Sequence, residues 1–226
     1  MSSKDEELLK ALGPTSTTTD EEIMLMIENG ADVNAVNGYN QNALQLVAHY
    51  SRGIRVYVAI IAKTEDINHQ DDHWGHTALM LAVIWNNIDV VRALMYEKCL
   101  KINIQSHPLP NSQAYTALHF AVKLRNYEMV EQLMGKTRYN IVEEFADGKI
   151  DTEIKNVFNE TASDIARRHN DYNMAYLIDG PRVTRQSTKA AQSARAAQSA
   201  RAAQSAIPAQ PTTPAQPGHD DFNLRF

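Results

Sequence analysis

Hydrophobic and polar positions follow one another along this chain in a pattern that occurs three times. An apolar segment of helical spacing begins at residues 42, 77 and 116, as Asn-Ala-Leu-Gln-Leu-Val-Ala, Thr-Ala-Leu-Met-Leu-Ala-Val and Thr-Ala-Leu-His-Phe-Ala-Val. A polar stretch and a second apolar segment follow each copy. In each copy the first residue is 25 positions before a closing isoleucine, which is Ile67, Ile102 or Ile141. Such a recurring unit predicts a repeat architecture in which each unit is a pair of helices.

Helix-start signals agree with this register. A threonine opens the copies at 77 and 116, where its hydroxyl can cap the free backbone N–H groups. Ser3-x-x-Glu6 and Thr19-x-x-Glu22 fit the capping-box pattern and predict two helices near the N-terminus. The segment 54–61 is rich in β-branched residues, and propensity alone favours a strand there. The repeat register instead places it in the second helix of its unit, and we predict a helix.

These motifs resemble the signature of the ankyrin-repeat family, T-P-L-H-x-A-A followed later by G-A-D-V-N. Gly-Ala-Asp-Val-Asn at 30–34 matches the second part in full, and residues 66–68 and 101–103 are degenerate copies of it. Thr-Ala-Leu-His at 116–119 is close to the first part. A further copy opens at Thr161, so the resemblance covers residues 4–178. It implies an all-α ankyrin-repeat solenoid of helix-turn-helix units joined by hairpin loops.

The predicted ankyrin domain spans residues 1–179 and holds about five repeats, at 4–36, 37–70, 71–105, 111–142 and 159–179. Motif starts at 42, 77, 116 and 161 are 35, 39 and 45 residues apart, whereas the family period is about 33. The extra residues are therefore predicted in loops, at 106–113 and in an inserted loop at 143–158. Such an insertion can extend a binding face or be a tolerated loop expansion.

The remaining residues, 180–226, form a low-complexity tail. Near-copies of Ala-Ala-Gln-Ser-Ala-Arg give way to a proline-rich segment, with almost no large apolar residue before Phe222. Such a composition cannot form a packed core, and we predict a disordered tail.

Charge and cysteine content narrow the classes of function. The tail holds six of the 22 basic and two of the 27 acidic residues, which gives it a charge of +4 and leaves −9 on residues 1–179. An acidic body argues against nucleic-acid binding, which relies on clustered lysine and arginine.

No apolar stretch is long enough to span a membrane, and the acidic N-terminus lacks the apolar core of a signal peptide. The lone cysteine, Cys99, fits a reducing compartment. The sequence predicts a cytoplasmic protein that is monomeric on its own.

Catalytic and cofactor motifs are missing from the sequence. It contains no glycine-rich phosphate loop and no G-x-S-x-G, which predicts a non-enzymatic protein without a cofactor. His69, His73 and His76 raise a metal hypothesis, but no cysteine is nearby and Asp71 and Asp72 fall in a predicted solvated hairpin. The sequence therefore predicts no metal site.

The resemblance also implies where a partner binds, because ankyrin proteins typically use hairpin tips and exposed positions of the concave inner helices. Carried over to this sequence, these positions in the second, third and fourth repeats are Tyr39, His49, Tyr50, His73, Trp74, His76, Ile84, Trp85, Gln113, Tyr115, Lys123 and Leu124. Both tryptophans of the chain belong to this set. For Trp85 the sequence leaves two interpretations open, a binding hot spot or ordinary packing beneath a neighbouring hairpin.

The predicted function is a non-catalytic scaffold that binds a partner protein. Two alternatives remain open at this stage: a bacterial effector delivered into the host-cell cytosol, and a regulatory subunit that inhibits an enzyme. Dependence of secretion on residues 207–226 would favour the effector. A stable stoichiometric complex with an endogenous enzyme would favour the regulator.

Overall fold

The computed structural model describes residues 2–50, 52–108, 113–135 and 150–180. These residues form ten helices and contain no strand. The helices follow one another as five pairs, which confirms the predicted all-α repeat architecture. The first helices of the pairs are α1 Ser3–Ala11, α3 Ala43–Tyr50, α5 Ala78–Ile84, α7 Ala117–Lys123 and α9 Ala162–Arg168. The second helices are α2 Asp20–Glu28, α4 Ile54–Ile61, α6 Ile88–Met95, α8 Tyr127–Leu133 and α10 Tyr172–Asp179.

Side-chain caps set where these helices begin. The hydroxyls of Thr77, Thr116 and Thr161 accept the backbone N–H groups of the third residue of their helices. Thr19 and Glu22 form the predicted capping box. The prediction was wrong by one residue at α1, where Ser2 and Asp5 form the box instead of Ser3 and Glu6. Asp5 is favoured as the acidic residue of the box because its second carboxylate oxygen also accepts the N–H of Asp32, in the loop after α2.

The β-branched segment Ile54–Ile61 is helix α4, as the repeat register predicts. Val56, Tyr57 and Ile60 are buried on one side of the helix, at the spacing of a helical face. Burial against α2 and α6 outweighs the weak helix propensity of these residues.

The helices pack as two layers, each stacked from repeat to repeat. First helices contact first helices from α1 to α9, and second helices contact second helices from α2 to α10. The leucines of the repeated motif, Leu44, Leu79 and Leu118, are buried between neighbouring repeats, and Ala48, Ala82 and Ala121 are buried beside them. The small alanine side chains allow helices to approach closely. Each repeat therefore buries its apolar side chains only with the next repeat present.

The asparagines of the Asp-x-Asn motif join successive repeats. The Asn34 amide donates to the carbonyl of Lys63 (3.2 Å), and its oxygen accepts the N–H of Glu65 (2.9 Å). Asn68 makes the same two kinds of bond, with Cys99 and Lys101. Polar loop groups are thereby satisfied by the next repeat.

Residues 150–160 correct the predicted inserted loop at 143–158. The N–H of Asn156 donates to the carbonyl of Glu160 (3.0 Å), as that of Asn37 does to Gln41 (2.9 Å) in the second repeat. Asp151 Oδ1 accepts the N–H of Glu153, matching Asp32 and Asn34. These residues are thus the regular loop and hairpin of the fifth repeat. The additional length of this connection precedes Ile150.

Several sequence predictions fall outside the described residues. They are Ile141, which closes the third 25-residue step, the loop residues 109–112, the part of the predicted insertion before Ile150, and the predicted tail from residue 181 onwards. Within the described part of the chain, no helix is long and apolar enough to cross a membrane.

Candidate functional site

The hairpin tips present one side chain per repeat at an equivalent position. In four hairpins a residue with positive φ follows that side chain: Asn40 (58°), Gly75 (65°), Ala114 (51°) and Asn159 (61°). The residues directly before them are Tyr39, Trp74, Gln113 and Phe158. This left-handed conformation turns the chain back towards the next helix. Three of the four tips therefore carry an aromatic ring.

Backbone hydrogen bonds join these tips into a row. The N–H of Asp72 donates to the carbonyl of Tyr39 (3.2 Å), and that of His107 donates to Trp74 (2.9 Å). The N–H of Val157 completes the row by donating to Gln113 (3.2 Å). Because the carbonyls of Tyr39, Trp74 and Gln113 are each held by the next hairpin, neighbouring tips keep a defined spacing. We call Tyr39, Trp74, Gln113 and Phe158 the tip row.

A second row lies where the first helix of each pair ends. Tyr50 closes α3, Trp85 and Leu124 are the residues after α5 and α7, and His169 is the residue after α9. Trp85 is 53% exposed and Leu124 is 50% exposed. The turns behind Trp85 and Leu124 are tied together, because the Asn126 amide donates to Asn86 Oδ1 (2.6 Å). We call Tyr50, Trp85, Leu124 and His169 the turn row.

Ring stacking through His49 connects two members of the turn row, Tyr50 of the second repeat and Trp85 of the third. The His49 ring lies parallel to Tyr50, with centroids 4.0 Å apart, and parallel to Trp85, with centroids 4.4 Å apart. One face of the Trp85 indole is thus covered while the side chain remains half exposed. Of the two interpretations left open for Trp85, the geometry fits a surface ring held by a neighbour better than it fits buried filling.

A second series of ring contacts runs through the third hairpin. His73 meets Tyr39 (6.3 Å) and Trp74 (4.6 Å) edge to face. His76 is parallel to Trp74 (6.4 Å) and meets Phe120 edge to face (5.2 Å). The hairpin side chains of repeats two and three and the first helix of repeat four therefore form one connected aromatic cluster.

The structure brings most of the predicted binding residues together and corrects one. Tyr39, His73 and Lys123 are exposed, and His49, Ile84 and Gln113 are half-buried. Tyr115 is only 2% exposed. Its ring is covered by stacking on His119 (5.4 Å) and by the Lys123 ammonium, 5.2 Å from its centroid. Tyr115 therefore supports the surface from beneath and is not itself available to a partner.

Phe158 and Val157 are surface residues that the sequence interpretation missed. They are 62% and 50% exposed at the tip of the fifth hairpin. The sequence carries a signal for them, because Asn-Val-Phe-Asn-Glu-Thr at 156–161 matches Asn-Gly-Tyr-Asn-Gln-Asn at 37–42 in its asparagine and aromatic positions. The prediction of an inserted loop at 143–158 concealed this correspondence.

The histidines and aspartates of the third hairpin are occupied by local contacts. Asp71 is buried, and its Oδ1 accepts the N–H groups of His73 (3.0 Å) and Trp74 (2.7 Å). His69 Nε2 is 2.7 Å from the carbonyl of Asn40. Among the described residues, no group of three or more His, Cys, Asp or Glu side chains has the arrangement of a metal site. Burial lowers the pKa of His49 and of His76, which favours their neutral, stacking forms.

His119 joins the fourth repeat to the fifth as a buried neutral imidazole. Its Nδ1 accepts the N–H of Thr116 (3.2 Å), and its Nε2 is 3.4 Å from the carbonyl of Glu160. These roles require the Nε2–H tautomer. Burial lowers the pKa of His119, because a charged imidazolium would lose both solvent and the Thr116 bond. Gln45 fills the equivalent place in repeat two, accepting from Asn42 and donating to the carbonyl of His76.

Stability should therefore fall as the pH drops from about 7 to about 5. The folded pKa of His119 lies below the unfolded value of about 6.5, so the unfolded chain binds more protons in this window. We expect His119→Gln to flatten the curve of unfolding free energy against pH by up to about 1.4 kcal/mol per pH unit. Glutamine keeps both hydrogen bonds and cannot be protonated. Urea unfolding at several pH values tests this, and equal slopes for the two proteins would contradict it.

Comparison with known proteins identifies the family of these repeats. Residues 16–106 and 56–144 match a family model described as ankyrin repeats (3 copies), and together they cover more than half of the 226-residue chain. The chain is also 29% identical over 124 residues to the protein lin-12 of Caenorhabditis elegans. That alignment covers 52% of this chain but only 9% of the relative.

Proposed function

Because this chain belongs to the ankyrin-repeat family, we propose that it binds a partner protein through its turn row, its tip row and the side chains between them. Ankyrin repeats are general protein–protein interaction modules, and members of the family typically catalyse no reaction. The proposed role is that of a non-catalytic scaffold. The observation that carries the proposal is the half-exposed Trp85, stacked on His49 and aligned with Leu124 of the next repeat.

The energetics of association favour this surface. Tryptophan and tyrosine supply large contact areas and dominate binding hot spots. A ring already held by stacking loses little rotamer freedom when a partner covers it, which lowers the entropic cost of binding. His49 holds Trp85 in this way, and the hairpin cluster holds Trp74. Exposed rings at equivalent positions of neighbouring repeats let one partner contact several of them.

The proposed contact residues follow from exposure and position. Those kept from the sequence prediction are Tyr39, His49, Tyr50, His73, Trp74, His76, Ile84, Trp85, Gln113, Lys123 and Leu124. Phe158, Val157 and His169 extend the set into the fifth repeat. Tyr115 leaves it because it is buried.

An affinity pull-down from cell lysate, comparing the intact chain with a Trp74→Ala/Trp85→Ala variant, tests the proposal. We expect the partner to be lost with this variant, and Trp85→Ala alone to weaken binding of the purified partner by about 2 kcal/mol, or about 30-fold in Kd. The matched control is Tyr172→Ala/Tyr176→Ala, which removes two exposed aromatic rings from α10 in the other helix layer.

Helicity and thermal unfolding of both variants establish that the fold persists. Partners that bind both double variants equally would reject these rows as the binding surface. A large drop in melting temperature for Trp85→Ala would show that Trp85 belongs to the core and would reject its assignment as a contact residue.

A further inference from the structure

The sequence Lys123-Leu124-Arg125 closes the first helix of repeat four and presents an apolar side chain between two cations. Leu124 is half exposed, and Lys123 and Arg125 are exposed on either side of it. Trp85 occupies the position of Leu124 in the preceding repeat. The Asn126–Asn86 hydrogen bond fixes the two turns relative to each other. One apolar patch therefore lies next to a pair of positive charges.

Neither cation has a carboxylate partner within the described residues. The Lys123 ammonium is 5.2 Å from the Tyr115 ring centroid, and Arg125 donates to the backbone carbonyl of His169 (2.8 Å). Arg125 contributes to lowering the pKa of Asp171, but that carboxylate is held by the Tyr127 hydroxyl and the N–H of Met174. The charge on this turn remains positive and open to solvent.

The neighbouring charged side chains are paired with one another. Asp89 and Glu128 both contact Arg92, at 3.5 and 3.3 Å. Arg168 is bound by Glu160 at 2.8 Å. These three carboxylates therefore pair with arginines other than Arg125. Carboxylates supplied by another molecule can therefore pair with Lys123 and Arg125 without displacing a carboxylate already bound to them.

We propose that the turn row recognises an acidic peptide segment of the partner, with a large apolar side chain on Trp85 and Leu124 and carboxylates that pair with Lys123 and Arg125 on either side of Leu124. This rests on the proposed function and specifies the partner's chemistry. Arginine binds carboxylates with directed, charge-assisted hydrogen bonds, while lysine acts as a point charge. The apolar contact supplies buried area and the charges select the partner and its register.

The acidic character of the chain as a whole does not oppose this binding. Residues 2–36, the first repeat, hold eight carboxylates and two lysines, so the negative charge is concentrated there. The fourth repeat is three repeats away, which at roughly 10 Å per helix spacing is about 30 Å. Screening at physiological salt limits exposed charges to a range of about 8 Å. The local cations therefore determine the potential that a bound segment meets.

Selection from a random-peptide phage library on the full-length chain tests the proposal. We expect enriched peptides to combine aspartate or glutamate with leucine, isoleucine, phenylalanine or tryptophan. A synthetic peptide of the enriched sequence is then titrated by fluorescence anisotropy. Lys123→Glu/Arg125→Glu should raise its Kd by at least about ten-fold, and added salt should weaken its binding to the unaltered chain.

The control variant, Lys98→Glu/Lys101→Glu, makes the same change in net charge at two exposed lysines of the third repeat. It should leave the Kd within about two-fold, because these side chains are not on the turn row. Circular dichroism and thermal melting verify that both variants are folded. Equal losses for the two variants would overturn the proposed site, since only net charge would then matter.

The remaining outcomes separate this inference from the proposed function. Enriched peptides that are basic or uncharged, yet lose binding to Trp85→Ala, overturn the acidic partner and leave the surface in place. Peptides that bind Trp85→Ala as tightly as the unaltered chain reject both the surface and the inference. An absence of any enriched peptide also overturns the inference, while the pull-down continues to test the surface.

Discussion

Replacing Leu118 with alanine is expected to lower the free energy of unfolding by about 3 kcal/mol. Leu118 is 1% exposed and lies in α7, which packs against α5 on one side and α9 on the other. Its removal leaves a cavity between repeats, and in a solenoid this interface is what makes each unit stable.

The matched control is Leu124→Ala, six residues further along the same chain segment. Leu124 is half exposed, so the same chemical change should cost less than about 1 kcal/mol. Urea unfolding monitored by circular dichroism measures both variants. If Leu124→Ala destabilised the protein as much as Leu118→Ala, Leu124 would be a packing residue and its place in the binding surface would be wrong.

Arg52→Ala is expected to destabilise the first repeat by about 2 kcal/mol. The Arg52 guanidinium donates to the carbonyls of Ala11 (2.6 Å), Thr18 (3.3 Å) and Gly13 (3.5 Å). Ala11 is the last residue of α1, and Gly13 and Thr18 lie in the loop that joins it to α2. Alanine would leave the Ala11 and Thr18 carbonyls without this donor, while the Gly13 carbonyl keeps the N–H of Ser16 (3.4 Å). Losing a partner in a partly buried place costs more than losing an exposed hydrogen bond.

Arg55→Ala provides the control, because Arg55 is an exposed arginine of α4 in the second repeat, the repeat that also contains Arg52. Its removal should change stability by less than about 0.5 kcal/mol. Native-state hydrogen exchange locates the effect: amides of α1 and α2 should exchange faster in Arg52→Ala, while those of α7 should not. Uniform acceleration throughout the domain would show that Arg52 does not act on the first repeat alone.

Much of the helix pattern could be predicted because the repeat register is a strong local signal. The segment from Ile54 to Ile61 shows this clearly, since its propensity favours a strand and its register predicts the helix that forms. Thr77, Thr116 and Thr161 start helices where the sequence places them. A cap acts within three residues of its own position, so sequence spacing describes it well.

The candidate surface was predicted less completely, because burial depends on residues that are distant in the chain. Tyr115 occupies a hairpin position that the resemblance to the family marked for binding, but His119 and Lys123 cover it. Phe158 was missed because residues 150–158 were assigned to an insertion, although they form a regular hairpin. The choice of Ser2 as the α1 cap depends on Asp5, which also binds the loop at Asp32.

The sequence by itself determined the repeat unit, the helical content and the residues available for a binding surface, because periodic apolar positions and caps act over a few residues. Only the tertiary structure decided which side chains share a face and which are covered. His49 is 36 positions before Trp85 in the chain, yet their rings stack at 4.4 Å. Stacking between repeats creates such contacts, and no local pattern records them.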